Sequence, residues 1–159
     1  MNIEKISKRI RIELDEIEQL INRIYIGLQK AKQSSDDYYL DGVALNLHGL
    51  YSGVERIFTM IAENIDNNLP SGKNWHVALL EQMSKEIVNI RPAVISAVLA
   101  IQLSEYRGFR HVVRNVYSYN FKPEKIEKLV INVRPIFHEF KLHINAFDDF
   151  LRSFDKTCK

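Results

Sequence analysis

Apolar residues recur at spacings of three and four along five separate segments of the chain, as they do on one face of an α-helix. The five segments cover residues 3–28, 40–65, 75–87, 96–117 and 123–154. Ser96 and Pro123 favour helix starts, because serine caps a first turn and proline fits within one. No stretch alternates between apolar and polar residues in the way a strand does. The pattern predicts an all-α fold of four or five helices packed as an up-and-down bundle.

Turn-forming residues separate these segments. Ser34-Ser35-Asp36-Asp37 is typical of a turn that ends in helix-capping residues. The strongest break covers residues 66–72, where asparagine, proline and glycine cluster, and Arg91-Pro92 forms a second one. Pro135 falls inside the last segment and is predicted to bend that helix.

Three glycines fall inside the second predicted helix, near one stripe of its surface. Each glycine weakens a helix by about 1 kcal/mol relative to alanine, so a close approach of another backbone is the expected compensation. Gly42, Gly49 and Gly53 are therefore predicted to mark a helix crossing.

The composition is that of an ordinary globular protein of one domain, covering residues 1–159, with 46% hydrophobic and 26% charged residues. The longest mainly apolar run, residues 93–101, is far shorter than the roughly 20 residues of a membrane span. The charged N-terminal residues do not resemble a secretory signal, so we expect no membrane association and a cytoplasmic location. The single Cys158 excludes an internal disulfide framework and indicates no metal cluster.

The net charge of +2 is too small to indicate nucleic-acid binding by itself. Positive charge is nevertheless concentrated between residues 106 and 117, where a helix would place the apolar residues on one arc. The opposite arc, here called the arginine face, carries Arg107, Arg110, His111, Arg114, Asn115 and Tyr117. Arginine suits phosphate oxygens and histidine can move a proton near neutral pH, which are capacities that an RNA-cleaving site needs. The alternative is a solvated helix surface without chemistry.

Four blocks of the sequence resemble one protein family. The chain is similar to the HepT-like ribonuclease toxins of the HEPN superfamily at residues 47–58, at residues 69–76 with 79–83, at the Arg91-Pro92 pair and at residues 106–117, in this order. The resemblance implies an α-helical homodimer that cleaves RNA, such as tRNA or mRNA, without a metal or other cofactor. It also implies a nucleotidyltransferase antitoxin as partner, which silences the toxin by attaching AMP to a tyrosine.

The family motif consists of an arginine, an adjacent polar residue, three further residues, a histidine, one residue and a tyrosine. The resemblance places the arginine at Arg110, the polar residue at His111 and the modified tyrosine at Tyr117, while the motif histidine falls at Asn115. Arg110, His111 and Asn115 are thus the candidate catalytic residues. Arg107 and Arg114 are candidates for RNA binding.

Asn115 changes the expected chemistry. Metal-free cleavage by the ribose 2′-hydroxyl needs one proton removed and another donated, and asparagine cannot carry a proton at neutral pH. His111 is the only titratable replacement in the motif, at about 40° from Asn115 around the helix. Arg110 and Asn115 are about 140° apart, which suggests a composite site completed across a two-fold axis.

Two other functions remain open. Asn115 favours a non-catalytic protein that holds RNA or a nucleotidyltransferase partner on the arginine face. A purely structural dimerisation domain ranks last, because it would leave the arginines unexplained.

Several residues in the matching blocks are predicted to be structural. His48 and His76 have apolar or aromatic neighbours and are expected to be buried structural histidines, and Trp75 is expected in the core. Glu55 and Arg56 could form a buried pair that orients the arginine face or a surface pair, and the sequence does not distinguish these arrangements.

Overall fold

The computed structural model describes residues 2–157, and within them the chain forms five α-helices and one short 3₁₀ helix. The helices are α1 (Ile3–Ser34), α2 (Tyr38–Asn64), α3 (Trp75–Met83), α4 (Ala97–Asn115) and α5 (Pro123–Thr157), with the 3₁₀ helix at Ser118–Asn120. No strand occurs in residues 2–157, which confirms the prediction of an all-α bundle. No helix in this part of the chain is both long and apolar enough to cross a membrane. Cys158 lies outside the described residues.

The long helices α1 and α2 pack closely along glycines. A Cβ atom on Gly53 would lie 2.9 Å from Ile17 Cγ1, and one on Gly49 would lie 3.4 Å from Leu20 Cδ1. The predicted crossing is confirmed at these two positions. It is wrong for Gly42, which has no atom within 4 Å of the Cβ position. Gly27 of α1, which the sequence analysis did not single out, approaches Val43 Cγ2 to 2.9 Å by the same measure.

Helix α5 packs its apolar seam against α1, α2 and α4. Phe140 meets Phe58 edge-on, with ring centroids 5.9 Å apart, and Phe137 meets Tyr106 in the same way at 5.6 Å. The hydroxyl of Tyr106 donates a hydrogen bond to the carbonyl of Leu129 at 2.7 Å, which satisfies a buried polar group. The helix continues through Pro135.

The starts of α4 and α5 follow the local signals, whereas the ends of α3 and α4 do not. The Ser96 hydroxyl accepts a hydrogen bond from the Leu99 amide at 3.1 Å, so it caps α4 as predicted, and α5 begins at Pro123. Helix α4 ends at Asn115 instead of Tyr117, because the chain turns to an extended conformation at residues 116 and 117. Helix α3 ends at Met83, before the predicted residue 87.

A buried ion pair stabilises the segment between α2 and α4. Arg91 donates to both carboxylate oxygens of Asp66, from Nε at 2.5 Å and from Nη2 at 2.7 Å. Its guanidinium also donates to the carbonyls of Gln82, Lys85 and Pro92. Hydrogen bonds of Arg91 therefore connect the Arg91-Pro92 break to the end of α2 and to the end of α3. These contacts fix the position of α3 relative to α2.

Candidate active site

Side chains from three helices form one cluster, which is centred on the buried carboxylate of Glu55. Glu55 of α2 is only 5% exposed. Its Oε1 lies 3.3 Å from Nε of Arg110 on α4, and its Oε2 is hydrogen-bonded to Nδ1 of His76 in the first turn of α3. Nη1 of Arg110 lies 3.3 Å from Nε2 of His76, which closes the cluster.

The hydrogen-bonding capacities of these groups determine the tautomer of His76. Arginine has only donors, so the nitrogen that faces Arg110, Nε2, must be the acceptor. The carboxylate of Glu55 accepts, so Nδ1 carries the proton and donates it to Glu55. These contacts favour the tautomer of His76 that has its proton on Nδ1 and its lone pair on Nε2.

Further contacts fix the cluster in place. The ring of Trp75 lies against the ring of His76 with centroids 3.5 Å apart. The hydroxyl of Ser52 accepts from Nε of Arg110 at 3.4 Å and donates to the carbonyl of His48 at 3.0 Å. A buried carboxylate is costly without partners, and His76 and Arg110 supply them.

Glu55 and Arg56 do not pair with each other. Glu55 turns inward to Arg110, whereas the exposed Arg56 contacts Glu13 of α1 at 3.1 Å. Glu55 does orient part of the arginine face, but through Arg110 directly and without Arg56.

A basic groove of about 420 Å³ runs beside the cluster. It is lined by Lys73, Asn74, His76, Val77, Arg107, Arg110, His111, Arg114 and Asn115. These side chains include four cations and no carboxylate, so the groove attracts anions. Arg110 and Asn115 line the same groove in one chain despite their angular separation, so that separation no longer argues for a site completed across a two-fold axis.

His111 and Asn115 form a looser pair at the exposed side of the basic groove. The Asn115 amide nitrogen lies 3.3 Å from Nδ1 of His111 and donates to the His111 carbonyl at 2.8 Å. Both residues are exposed. Asn115 can therefore orient the His111 ring but is itself unable to carry a proton.

A second groove, of about 380 Å³, lies on the other side of Arg110. It is lined by Arg9, Ser52, Glu55, Arg56, Thr59, Met60, Glu63, Asn64, Trp75 and Arg110. Trp75 is half-buried: it packs against the core, as expected, and also lines this groove. This second groove is called the Trp75 groove.

Two residues of α2 beside the site have altered acidities. Burial, followed by the charges of Arg110 and Arg114, lowers the pKa of His48. Burial, followed by the charge of Glu55, raises the pKa of Tyr51. His48 is half-buried and within the electrostatic reach of the arginine face, which the expectation of a purely structural histidine did not anticipate.

Tyr117 lies outside the helix and is accessible. Its side chain is 74% exposed, and its ring stacks almost parallel on that of Tyr119, with centroids 5.7 Å apart. It follows the last residue of α4 by two positions.

The sequence analysis missed the association of Glu55 and His76. One signal was available, because Glu55 follows Tyr51 by four residues and precedes Phe58 by three, which places an acidic residue on the buried face of α2. A carboxylate in that position requires a partner, although the sequence does not identify it.

Comparison with known families gives one match. The model of a family described as HepT-like protein matches residues 42–151, about two thirds of the chain. The matched region contains Glu55, His76, Arg110 and Tyr117. No curated protein and no solved structure matches the chain significantly.

Proposed function

The chain belongs to the HepT-like family, and from this premise we propose that it is a metal-independent RNA endonuclease, the toxin of a toxin–antitoxin pair. The observation that carries the proposal is the basic groove, in which Arg110 lies beside two histidines. A phosphate-binding cation next to groups that transfer protons is the minimum that metal-free RNA cleavage requires.

The reaction begins with the ribose 2′-oxygen attacking the adjacent phosphorus. Arg110 binds the phosphate and neutralises the charge that develops on its oxygens in the transition state. Lys73, Arg107 and Arg114, along the same groove, bind the neighbouring phosphates of the strand. The bond to the 5′-oxygen then breaks, giving a 2′,3′-cyclic phosphate and a 5′-hydroxyl end.

His111 transfers a proton in this reaction. It takes over from the motif histidine, which is absent at Asn115, and the Asn115 amide holds its ring. General acid–base catalysis of this kind increases a reaction rate by about 10²–10⁴-fold. Asn115 thus keeps a catalytic role as a hydrogen-bonding residue.

Tyr117 is the proposed site of regulation. A nucleotidyltransferase antitoxin transfers AMP from ATP to the hydroxyl of this exposed residue, and pyrophosphate leaves. The added phosphate is negative and is attached two residues beyond Asn115, so it competes with RNA for the arginine face. A cytoplasmic homodimer is part of the same proposal.

A second function is supported by Asn115. The protein would then hold RNA or the nucleotidyltransferase on the basic groove without cleaving RNA. A purely structural dimer is the weakest alternative, since it gives no reason for four cations in one groove.

The test is cleavage of tRNA and mRNA by the purified protein in the presence of EDTA, beside Arg110→Ala and His111→Ala. We expect cleavage by the natural protein and loss in both variants. Arg23→Ala is the matched control, because Arg23 is an exposed residue of α1 that lines neither groove. Absence of cleavage, together with RNA retention that depends on Arg110, would instead establish the binding function.

A further inference from the structure

We propose that His76, held by Glu55, is the general base that takes the proton from the ribose 2′-hydroxyl. This inference rests on the proposed RNA cleavage and names a residue that the family motif around Arg110 does not contain. Its basis is the geometry of Glu55, His76 and Arg110.

Glu55 prepares His76 for this role. The hydrogen bond from Nδ1 to the buried carboxylate puts the lone pair on Nε2, where Arg110 contacts it until a phosphate takes the guanidinium's hydrogen bonds. When Nε2 gains a proton, the same carboxylate stabilises the imidazolium, as it does in carboxylate–histidine pairs of other hydrolases. The Trp75 ring and the bond to Glu55 keep the imidazole in one orientation.

Arg110 places the substrate next to that lone pair. Nη1 of Arg110 lies 3.3 Å from Nε2 of His76, so a phosphate that takes the guanidinium's hydrogen bonds comes to lie beside Nε2. The 2′-hydroxyl adjacent to this phosphate is then within reach of the lone pair, because both residues line the basic groove.

His111 is the weaker candidate for the base. It is exposed, and its ring contacts Asn115 but, within residues 2–157, no carboxylate. His76 has only 23% of its side chain exposed and has a partner for each ring nitrogen. A preorganised base costs less reorganisation during the reaction than a mobile one.

The two histidines then have complementary roles. The 2′-hydroxyl proton moves to Nε2 of His76 while the bond from the 2′-oxygen to phosphorus forms. The bond from phosphorus to the 5′-oxygen breaks, and a protonated His111 donates its proton to that oxygen. His76 ends protonated and His111 neutral, so no further reactant is needed, and exchange with water restores both.

The experiment measures kcat and KM on a fluorescent RNA oligonucleotide for the natural protein and for His76→Ala, with and without added imidazole. We expect kcat to fall by about 10²–10⁴-fold with KM nearly unchanged, and imidazole to restore part of it. A residue that only supported the fold would not be replaced by free imidazole. His138→Ala is the matched control, since His138 is exposed on α5 and lines neither groove.

The alternatives give different results. If His76→Ala cleaves at the natural rate while Arg110→Ala is inactive, the role of His76 is wrong and the nuclease function stands. A loss that imidazole does not restore also overturns the role as a base. If His76→Ala does not fold, His76→Gln replaces it, and a folded His76→Gln with natural kcat overturns the proposal. No cleavage by the natural protein overturns the nuclease function and this inference together.

Discussion

Asp66 and Arg91 form a bidentate ion pair in which neither side chain is exposed to solvent. Removing one member of such a pair leaves the other charge buried and alone. We therefore expect Arg91→Ala to lower the free energy of unfolding by about 3–5 kcal/mol. Urea denaturation measures the change.

Lys85→Ala serves as the control for this prediction. Lys85 is exposed and pairs with Glu81 at 3.8 Å, so its loss should change stability by no more than about 1 kcal/mol. Equal changes in the free energy of unfolding for the two substitutions would show that the Asp66–Arg91 pair is not the main stabilising contact of the segment between α2 and α4.

Gly53 and Gly42 should respond oppositely to alanine. A Cβ at residue 53 would press on Ile17 of α1, so Gly53→Ala is expected to cost about 1–3 kcal/mol. Gly42 has open space around its Cβ position and lies inside α2, so Gly42→Ala should stabilise by about 0.5–1 kcal/mol. Thermal unfolding of both variants tests the crossing, and stabilisation by Gly53→Ala would refute it.

His48 should make stability depend on pH. Burial and the nearby Arg110 and Arg114 lower its pKa from 6.5 in the folded state. As pH falls below about 6.5, the unfolded chain binds a proton that the folded chain does not, so the contribution of His48 to stability decreases. We expect His48→Gln to lose less stability than the natural protein between about pH 7.5 and 5.5, as measured by urea unfolding. His138→Gln, at an exposed position, should behave like the natural protein.

Restoring the motif histidine should increase cleavage. Asn115→His places a titratable ring in the basic groove, so we expect the rate to rise by roughly 10²-fold or more, measured on the same RNA oligonucleotide. Asn132→His, on the exposed surface of α5, should have no effect. If the natural protein is inert and Asn115→His cleaves RNA, the natural sequence is the binding form.

Tyr117 should be the acceptor of AMP. Incubation with ATP and a nucleotidyltransferase of the proposed antitoxin class is expected to add AMP, detected by intact-protein mass spectrometry, and Tyr117→Phe should abolish the addition. Tyr119→Phe is the matched variant, because Tyr119 is equally exposed and stacks on Tyr117. If AMP is still added to Tyr117→Phe but not to Tyr119→Phe, the modified residue is Tyr119 and the assignment of Tyr117 is wrong.

The fold was largely predictable because its signals are local. Periodic apolar residues, the Ser96 cap and Pro123 each act within one or two turns of helix. These errors occur where the local pattern continues past the end of a helix or past its buried part. Val116 keeps the apolar period, yet the chain leaves α4 at Asn115. Phe154 keeps the period of α5 but is 58% exposed, so it does not extend the buried seam.

The site was only half predictable for a related reason. His111 and Asn115 are four residues apart on one helix, so their pairing follows from the sequence, whereas the groove that Arg110 shares with Asn115 was not expected from their angular separation. Glu55 is 21 residues from His76, and His76 is 34 from Arg110. Their contact depends on how α2, α3 and α4 pack, which no local pattern specifies. His76 was therefore interpreted as structural, although the structure joins it to Arg110.

The crossing at Gly53 has a consequence for how related sequences diverge. Gly53 lies between Ser52 and Glu55, both of which contact Arg110, and a Cβ atom added to it would lie 2.9 Å from Ile17 Cγ1. A larger residue at position 53 would push α2 away from α1 and carry Glu55 with it. Positions 17 and 53 are therefore expected to covary, with a smaller side chain at 17 wherever 53 is not glycine. The face of α1 that meets Gly53 is then expected to be under the same selection as the residues proposed to cleave RNA.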